Sequence, residues 1–555
     1  MKPIVSVTAH VRLVASTMAD TVFVPLSALD LLPPRLYIKF AIYLSLNSQQ
    51  DAAVACDHLL AAFVETSRQL PFLSGKVYQR SDGNARTVPG QLEIRYFAKE
   101  ADRDISHLTR FRDLSTTLDY ATFRANGFPD STLDSSMILP APLMPDVRQG
   151  ADVWTAQTTL IKGGVIVAAG LHHSTADGTG MVAIMKRFAD NCRRMQERTK
   201  MEPFSSISQK VADRTCIEAA WRHEGCATAV STGLHIDDLY AILGLEPPEQ
   251  QQLKQLGEPA AAFAEGPFQF FRRWMWALWL TLVAGLTCWI QQVAEILTLI
   301  RLSVGVLAAS VVPSLAMQTG IFYIPAKGLG RLKKDAAAEA MAMPSVDAAY
   351  LTANDALMAL LWSAIMRARF PQGGAAPGAP SARLDCTLDA RDKLSSSLPP
   401  GYVGNVVLMS PTILPLARVT SPATSTGELA SIIRKDLDGV TAKRAQAAFS
   451  VAASMDNYAN LKFGFMDPTV PSTMITSMLM APFAEYDFGP VFGNNGRPES
   501  LRTIMADFNK VTRMCFVLPR KRHGGIEVVI TLQRAEMERL KADERFAKYA
   551  SFLCH

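Results

Sequence analysis

The chain has 555 residues, of which 49% are hydrophobic and 19% charged, and its formal net charge is +5 at pH 7. This length predicts about two to four domains, and the composition is typical of a globular protein with a large core. The small net charge gives no support to nucleic-acid binding, which needs clustered basic faces. A mildly positive surface still suits an anionic cosubstrate such as a phosphorylated carrier.

The cysteines and the N-terminal residues bear on the cellular location of the protein. The eight cysteines are scattered and show no CxxC or metal-ligand spacing, which predicts a reducing environment and no metal site. Residues 1–6 lack the apolar core of a signal peptide. We therefore expect a cytoplasmic protein.

Residues 1–200 predict a first lobe of mixed strands and helices. Strand composition is found over 36–44 and 72–78, and helical spacing over 57–70. Residues 100–150 are rich in Pro, Asp and Ser, which predicts loops over a surface or pocket.

The most informative stretch of this lobe is an HHxxxDG pattern that runs from His172 to Gly178. An apolar run over 164–169 predicts a strand before it, and apolar residues at helical spacing predict a helix after it. A strand that ends on His173 places an imidazole at the rim of a sheet, where it can act as a general base near neutral pH. Asp177 could orient that ring or pair with an arginine elsewhere. The alternative is a core histidine beside a helix-capping aspartate.

The middle of the chain contains a polar and then a hydrophobic segment. Residues 201–265 predict a polar linker, and residues 266–325 a hydrophobic helical insertion. Two uncharged runs, 274–294 and 302–323, each have about the length that crosses a bilayer. Basic residues on both flanks favour a membrane hairpin with cytosolic ends. The alternative is a pair of interfacial or core-packed helices on the protein itself.

Residues 326–555 predict a second lobe of helices and strands. A capped start at Thr352–Asp355 predicts a helix over 356–368. The remaining predicted elements are strands over 383–388 and 403–409, a hairpin from 516–519 and 525–530, and a last helix carrying Met537, Leu540 and Phe546.

Several enzyme classes lack their signatures in this sequence. There is no GxSxG elbow, no Walker A pattern and no dinucleotide fingerprint. A general base without a nucleophile of its own implies that a substrate supplies the nucleophile. Acyl transfer to an alcohol or an amine meets that requirement.

Seven ordered segments match the motifs of one enzyme family. They are Leu26–Asp30, Leu70–Lys76, His173–Asp177, Asn354–Leu357 with Leu361-Trp362, Asp389–Arg391 followed by Gly401–Asn405, Asp487–Gly489, and Gly524–Val528. Together they resemble LSxLD, PxLAGR, HxxxD, NDAL…LW, DxR…YxGN, DFGWG and GGIEV of the BAHD acyltransferases. The chain resembles the branch of fungal secondary-metabolite O-acyltransferases that are trichothecene O-acetyltransferase-like.

This resemblance implies an α/β (α+β) fold with two chloramphenicol-acetyltransferase-like lobes of mixed sheet plus helices. The N-terminal lobe would carry HxxxD, the C-terminal lobe DFG, and the hydrophobic insertion would lie near the crossover. An acyl-CoA donor would enter the channel between the lobes from one side and the acceptor from the other. The chain is expected to act as a monomer, without a metal and without nucleic acid.

The resemblance also assigns roles to residues. His173 is expected to be the general base, and Asp177 to shape the loop by pairing with Arg391. Thr476, in Ile475-Thr476-Ser477, is expected to steady the oxyanion. Structural roles are expected for Gly178, Asn405, Asp487 and Gly489. No CoA-contacting residue is assigned, and for His172 packing is expected.

Two positions depart from the family pattern. Pro490 stands where DFGWG has its tryptophan, and Met478 follows Thr476-Ser477 where the family has another. Both changes concern CoA contacts and lobe packing as they are found in plant members.

The sequence therefore predicts an acyl-CoA-dependent O-acyltransferase, with acetyl-CoA as the favoured donor and a small secondary-metabolite alcohol as the acceptor. Two alternatives stay open. One is a condensation-type enzyme with a carrier-bound acyl donor, and the other is a catalytically silent, membrane-associated family member. Membrane anchoring through 274–323 would leave the catalytic lobes on the cytosolic face.

Overall fold

The structure, a computed structural model, describes residues 20–80, 88–99, 103, 105–130, 135–199, 210–228, 231, 233–248, 316–343, 351–373, 380–465, 471–504 and 512–555. The strands are β1 Thr21–Pro25, β2 Tyr37–Ser45, β3 Lys76–Gln79, β4 Leu92–Phe97, β5 Thr109–Asp113, β6 Ala151–Asp152, β7 Trp154–Ile161, β8 Gly164–His172, β9 Met317–Ile324, β10 Ser381–Asp389, β11 Val407–Pro415, β12 Ser472–Ser477, β13 Ser500–Thr503, β14 Cys515–Val517, β15 Ile526–Gln533 and β16 Ser551–Cys554. The helices are α1 Ala52–Gln69, α2 Tyr120–Ala125, α3 Ser135–Ile138, α4 Gly178–Gln196, α5 Thr215–His223, α6 Ile236–Ile242, α7 Ala326–Met341, α8 Ala353–Arg369, α9 Arg391–Leu394, α10 Leu416–Thr420, α11 Thr426–Gly439, α12 Ala442–Ala453, α13 Arg534–Lys541 and α14 Glu544–Ala547.

The first large sheet has the order β13-β2-β8-β7-β5, with the HxxxD strand β8 in its centre. Alternate residues of β8 face two different cores. Val165 and Val167 belong to one core with residues of α1 and α4, whereas Ile166 and Ala168 pack with Tyr43 on the other face. Burial on both faces explains why β8 is an unbroken apolar run rather than an alternating one.

The second large sheet has the order β11-β10-β12-β14-β15-β9-β16. Its apolar face, with Leu384, Ile475 and Val528, packs in one core with the buried helix α8. Helix α8 begins at a capping box, in which Thr352 and Asp355 each accept a backbone N–H from the other. A smaller sheet, β1-β4-β3-β6, completes the mixed α/β architecture.

Segments from the second half of the chain pack with the first large sheet. Strand β13 comes from the second half, yet it pairs antiparallel with β2 in the first sheet, with Ser500 opposite Tyr43. Phe449 and Phe488, also from the second half, lie in the core of the first sheet. The division between the two cores therefore does not follow the predicted lobes 1–200 and 326–555, whose bounds stay a prediction.

The expected polar linker 201–265 contains folded structure in its described part. Helices α5 and α6 place Ile217 and Leu239 in the core of the first sheet. The prediction of a plain linker is wrong there, because a few apolar residues at helical spacing outweigh the polar composition.

The hydrophobic insertion 266–325 lies mostly outside the described residues, as does the whole of the run 274–294. The C-terminal end of the run 302–323 is not helical: it forms β9, which lies between β15 and β16. Phe322 and Ile324 of this strand are buried in the second core, which accounts for their apolar character. Within the described ranges, no helix combines the length and the apolar content needed to cross a membrane.

A buried ion pair joins the two large sheets. Arg502 of β13 and Glu527 of β15 are 1% and 3% exposed, and Nη1 of Arg502 lies 2.7 Å from Oε2 of Glu527. Arg502 also donates hydrogen bonds to the carbonyls of Phe128 and Gly127. Burial by itself raises the pKa of Glu527, but Arg502 and Lys521 outweigh it and hold that pKa below its usual value.

We expect Glu527→Gln to lower the free energy of unfolding by about 3 kcal/mol at pH 7, because Arg502 then stays buried without its counter-charge. Glu538→Gln is the matched control, since this exposed carboxylate pairs with Lys541 at the surface and its loss should cost less than about 0.5 kcal/mol. Urea denaturation of both variants measures the difference. Equal effects would contradict a buried pair.

The same pair predicts a pH dependence. A carboxyl whose pKa is lower in the folded state stabilises the fold above the pKa of the unfolded chain, about 4.3 for Glu. That contribution disappears as the pH falls through the lower folded-state pKa. The stability difference between wild type and Glu527→Gln should therefore shrink as urea denaturation is repeated at increasingly acid pH.

Candidate active site

The HxxxD motif forms a tight turn between the central strand and a long helix. Strand β8 ends at His172, a 3-10 turn covers His173–Thr175, and α4 begins at Gly178. The side chain of Asp177 caps the helix, since its Oδ1 atom accepts the N–H of Gly180 at 2.9 Å. The predicted strand–turn–helix arrangement is confirmed.

His173 is held through its main chain while its side chain stays partly exposed. Its N–H donates to the carbonyl of Leu36 at 2.8 Å, and its carbonyl accepts from Nδ2 of Asn405 at 2.9 Å. Nδ1 of the ring is buried. Burial lowers the pKa of His173 below 6.5, although the His173 backbone and Asp177 act in the opposite direction. The ring is therefore neutral at pH 7 and can accept a proton.

Asp177 is fully buried. Arg391 donates from both terminal nitrogens to its two carboxylate oxygens, each at 3.0 Å. The N–H of Val406 donates to Oδ2 at 2.9 Å, and Gly180 occupies Oδ1 as described. The predicted pairing of Asp177 with Arg391 is present. Because both carboxylate oxygens of Asp177 accept hydrogen bonds from the surrounding segments, this side chain fixes the shape of the turn.

Arg391 also fixes the loop that faces the turn. Its Nε donates to the carbonyl of Tyr402 at 3.0 Å, and its Nη2 to the carbonyl of Gly404 at 2.7 Å. A second ion pair joins Nη1 of Arg391 to Oδ1 of Asp389 at 2.9 Å. One planar guanidinium therefore sets the relative position of two segments more than 200 residues apart, since Arg391 and Asp177 are separated by 214 positions.

A second buried network supports the turn from behind. Oδ1 of Asp30 accepts the N–H and Nδ2 of Asn405, at 2.8 and 3.0 Å. Arg214, 3% exposed, lies 3.4 Å from the same oxygen and donates to the carbonyl of Thr175 at 2.6 Å. Its guanidinium lies over the rings of Phe72 and Tyr402.

The sequence did not reveal the role of Arg214, because this residue falls in the segment interpreted as a linker. The signal available was the apolar spacing of Ile217 and Ala220 directly after it, which predicts a buried helix. Asp30 was recognised only as part of a motif. Asn405 has the structural role expected of it.

Thr476 lies on the sheet face that is turned away from the helical layer. Its neighbour Ile475 points into the second core, so Met474 and Thr476 share the opposite face of β12. Met474 packs with Leu36, whose carbonyl accepts the N–H of His173. The structure thus places Thr476 on the face directed to the HxxxD turn.

His172 has a packing position. It is fully buried, its ring lies edge-on to Tyr37, and its Nδ1 accepts the N–H of Ser174 at 3.3 Å. Burial, together with the proximity of His173 and Arg35, lowers the pKa of His172 to about 3. It is thus uncharged at neutral pH and closed to a ligand.

The DFG motif lies at the far end of α4. Gln196 at this end donates to the carbonyl of Phe488 and accepts the N–H of Val491. Asp487 accepts the N–H of Gly489, whose φ of +100° suits glycine. The 19 residues of α4 span roughly 28 Å, so Asp487 and Gly489 act far from His173.

Comparison with known proteins agrees with this geometry. Residues 36–192 match the trichothecene 3-O-acetyltransferase-like N-terminal domain, and residues 310–547 match the transferase family. The chain is thus similar to this transferase family along both of its halves. It is an enzyme of the acyltransferase class.

Two curated relatives illustrate the similarity. The eremophilane O-acetyltransferase ORF8 of Penicillium roqueforti is 23% identical over 532 residues, which cover 95% of this chain and 98% of that protein. The isocyanide synthase-NRPS hybrid crmA of Aspergillus fumigatus is 25% identical over 562 residues, which cover 99% of this chain and 32% of that protein. The chain thus spans about a third of the length of crmA.

A solved structure shows the same fold. F. graminearum TRI101 complexed with coenzyme A and deoxynivalenol is 17% identical, with a TM-score of 0.68. The match covers 96% of this chain and 100% of that chain. The two-lobe acyltransferase fold is therefore confirmed.

The transferase has two glycines in its turn that differ in their surroundings. A Cβ at Gly180 would lie 2.1 Å from the carbonyl oxygen of Val403, whereas a Cβ at Gly178 would meet none of the described atoms within 4 Å. The steric need for glycine thus lies at Gly180, which the sequence did not single out. Gly178 has no such need.

We expect Gly180→Ala to lower the free energy of unfolding by about 1 to 3 kcal/mol, since α4 or the 402–405 loop must shift. Gly178→Ala is the matched control and should be neutral, or stabilising by up to about 1 kcal/mol through helix propensity. Urea denaturation compares the two. The reverse order would contradict the close approach to Val403.

We expect Arg214→Met to lower the free energy of unfolding by about 3 to 5 kcal/mol, because Asp30 loses a buried partner and Thr175 a donor. Arg222→Met is its control, since Arg222 is 67% exposed and pairs with Glu218 on the surface of α5. Thermal melts and urea denaturation measure both. A loss at Arg214 no larger than at Arg222 would contradict a supporting role.

Proposed function

We propose that this transferase is an acyl-CoA-dependent O-acyltransferase that moves an acetyl group to a hydroxyl of a small secondary metabolite, with His173 as the general base. The observation that carries the proposal is a neutral, partly exposed imidazole held by main-chain bonds on both sides. Ser174 beside it is fully buried, so the attacking oxygen comes from the substrate.

In the proposed reaction, the acceptor hydroxyl attacks the thioester carbonyl while Nε2 of His173 takes its proton. The hydroxyl of Thr476 donates a hydrogen bond to the oxyanion of the tetrahedral intermediate. The intermediate collapses by breaking the carbon–sulfur bond, and the imidazolium returns the proton to the leaving thiolate. The products are the ester and free CoA.

The comparisons support the donor and the acceptor class. TRI101 structures contain coenzyme A together with a toxin, and relatives are named O-acetyltransferases of fungal metabolites. We extend this chemistry to the present chain. A monomeric state, a cytoplasmic location and membrane association through 274–323 stay predictions from the sequence.

We expect His173→Ala to lower kcat by about a thousandfold, because general base catalysis is worth roughly 10² to 10⁴. Release of CoA thiol from acetyl-CoA and a panel of fungal alcohols, read with a thiol reagent, measures the rate. His223→Ala is the control, since that side chain is 74% exposed on α5. An unchanged rate in His173→Ala would show that another group is the base.

The same assay separates the alternatives. Turnover of carrier-protein-bound acyl groups, but of no acyl-CoA, would support the condensation-type enzyme. No turnover of either donor by folded protein would support a silent member.

The lowered pKa of His173 predicts the pH profile. The base form is populated above the folded-state pKa, which lies below 6.5, so the acid limb of kcat/KM should fall below pH 6.5. Activity should be level from there through pH 8. An acid limb above pH 6.5 would contradict a buried, neutral base.

A further inference from the structure

Asn405, at the end of the loop 402–405, is 2% exposed and connects this loop to the HxxxD turn. Its main-chain N–H donates to Oδ1 of Asp30 at 2.8 Å. Its Nδ2 atom donates to the same oxygen at 3.0 Å and to the carbonyl of His173 at 2.9 Å. The side chain is therefore held from two sides, by a buried carboxylate and by the main chain of the expected base.

These bonds fix which branch of the Asn405 amide carries its oxygen. Both partners of Nδ2 are acceptors, a carboxylate and a carbonyl oxygen, so an amide oxygen in that place would face them with no proton between. Oδ1 therefore lies on the opposite branch of the amide. There it is buried and has no hydrogen-bond partner among the described residues. A buried acceptor without a donor is costly, which calls for a donor close by.

The imidazole of His173 supplies a donor of the required kind. Its Nδ1 atom is buried and also has no hydrogen-bond partner in the part of the chain that the structure describes. The bond of 2.9 Å from Nδ2 brings the amide of Asn405 against the residue that carries this ring. Burial lowers the pKa of His173, and the Asn405 side chain is one of the groups that act in the opposite direction. An acceptor has that effect because it stabilises the protonated ring.

Asp30 keeps the amide in this orientation. The carboxylate is fully buried, and its Oδ2 accepts the N–H and the hydroxyl of Ser27 at 3.0 and 2.7 Å. Its Oδ1 accepts from Asn405 and lies 3.4 Å from Nη1 of Arg214. Asp30 therefore reaches His173 through the amide that lies between them. Hydrogen bonds in a chain polarise one another, so the carboxylate makes Oδ1 of Asn405 a stronger acceptor.

We propose that Asn405 is a positioning residue that selects the tautomer of His173, with its Oδ1 accepting the Nδ1 proton and Nε2 left as the base. The inference rests on the proposed function for the role of His173. In a histidine, the hydrogen bond at one ring nitrogen decides which nitrogen holds the proton. As Nε2 takes the proton of the acceptor hydroxyl, the proton on Nδ1 stays in place and the ring becomes an imidazolium. Oδ1 then stabilises this cation, as the carboxylate of a triad does.

The pH profile can report on this bond because the other groups around the turn do not titrate in the same range as His173. The charged and titratable groups described there are His172, Arg35, Asp177, Arg391, Asp30 and Arg214. Burial lowers the pKa of His172 to about 3, and burial raises the pKa of Tyr37 and of Tyr402. The two carboxylates are ion-paired with arginines. The acid limb of kcat/KM is therefore assigned to His173, since histidine ordinarily titrates between about pH 5 and 8.

The test compares Asn405→Ala with Asn47→Ala. Asn47 is exposed, and its Nδ2 also donates to two carbonyls, those of Pro490 and Phe492 beside the DFG motif. We expect Asn405→Ala to lower kcat by about ten- to a hundredfold, the value of one hydrogen bond to a charged group, with little change in KM for acetyl-CoA. The acid limb should move to lower pH, because loss of the acceptor lowers the pKa of His173. The control should keep the rate and the pH profile of wild type.

Asn405→Asp should move the acid limb in the opposite direction. A carboxylate in the place of Oδ1 favours the imidazolium, so the pKa of His173 rises and activity is lost at a higher pH than in wild type. Circular dichroism checks that each variant is folded. If kcat falls in the Asn405 variants while their acid limbs coincide with that of wild type, the tautomer inference is overturned and His173 remains the proposed base.

Nuclear magnetic resonance of protein labelled with ¹⁵N-histidine gives a readout that needs no turnover. The ring signals of His173 are assigned by their loss in His173→Ala. We expect the neutral ring of wild type to be protonated at Nδ1, and the ring of Asn405→Ala to populate the other tautomer. Protonation of the neutral wild-type ring at Nε2 would overturn the inference. Protonation at Nδ1 that depends on Asn405, in a protein that transfers no acyl group, would support the positioning role and contradict the proposed function.

Discussion

The HxxxD turn depends on one buried carboxylate. Asp177 accepts two N–H groups of Arg391, one of Val406 and one of Gly180, so four donors from three segments converge on two oxygens. A buried charge is tolerable only when it is paired and hydrogen-bonded, and each of these partners satisfies that condition. Because the donors come from both halves of the chain, the turn can take its shape only after the halves have met. His173 is therefore positioned by tertiary structure rather than by its own neighbours in the sequence.

The electrostatics of the turn separate support from chemistry. Asp30 pairs with Arg214 and Asp177 with Arg391 beneath the turn, and among the described residues the hydrogen bonds of these carboxylates go to groups other than the imidazole. Burial then decides the protonation state of His173, and it favours the neutral ring. The arrangement differs from a triad, in which a carboxylate bonds the ring itself. Here the carboxylate governs where the ring is, and the surrounding protein governs whether it holds a proton.

Local pattern predicted much of the fold. Strand β2, helix α1, the β14–β15 hairpin and the capped helix α8 follow from periodicity and end signals within their own residues. The HxxxD turn and its arginine partner followed from motif order. The predictions that failed depend on contacts distant in sequence. The sequence of β9 was interpreted as part of a membrane span because a strand buried within a sheet can be as apolar as a span. The roles of Arg214 and Gly180 were not predicted because their partners lie in other segments. Arg214 donates to the carbonyl of Thr175, and Gly180 lies close to the carbonyl of Val403.

Strand β13 has a consequence for how the chain is made. Residues 500–503 supply the outer strand of the first sheet, yet β2, their partner, is complete before residue 46. During synthesis on the ribosome, the N–H and C=O groups at this edge of β2 stay unpaired until residues 500–503 have emerged. Such an edge is a template for strands of other chains. The edge of β2 is therefore open to pairing with other chains during translation. Pairing with β13, at residues 500–503, closes this edge.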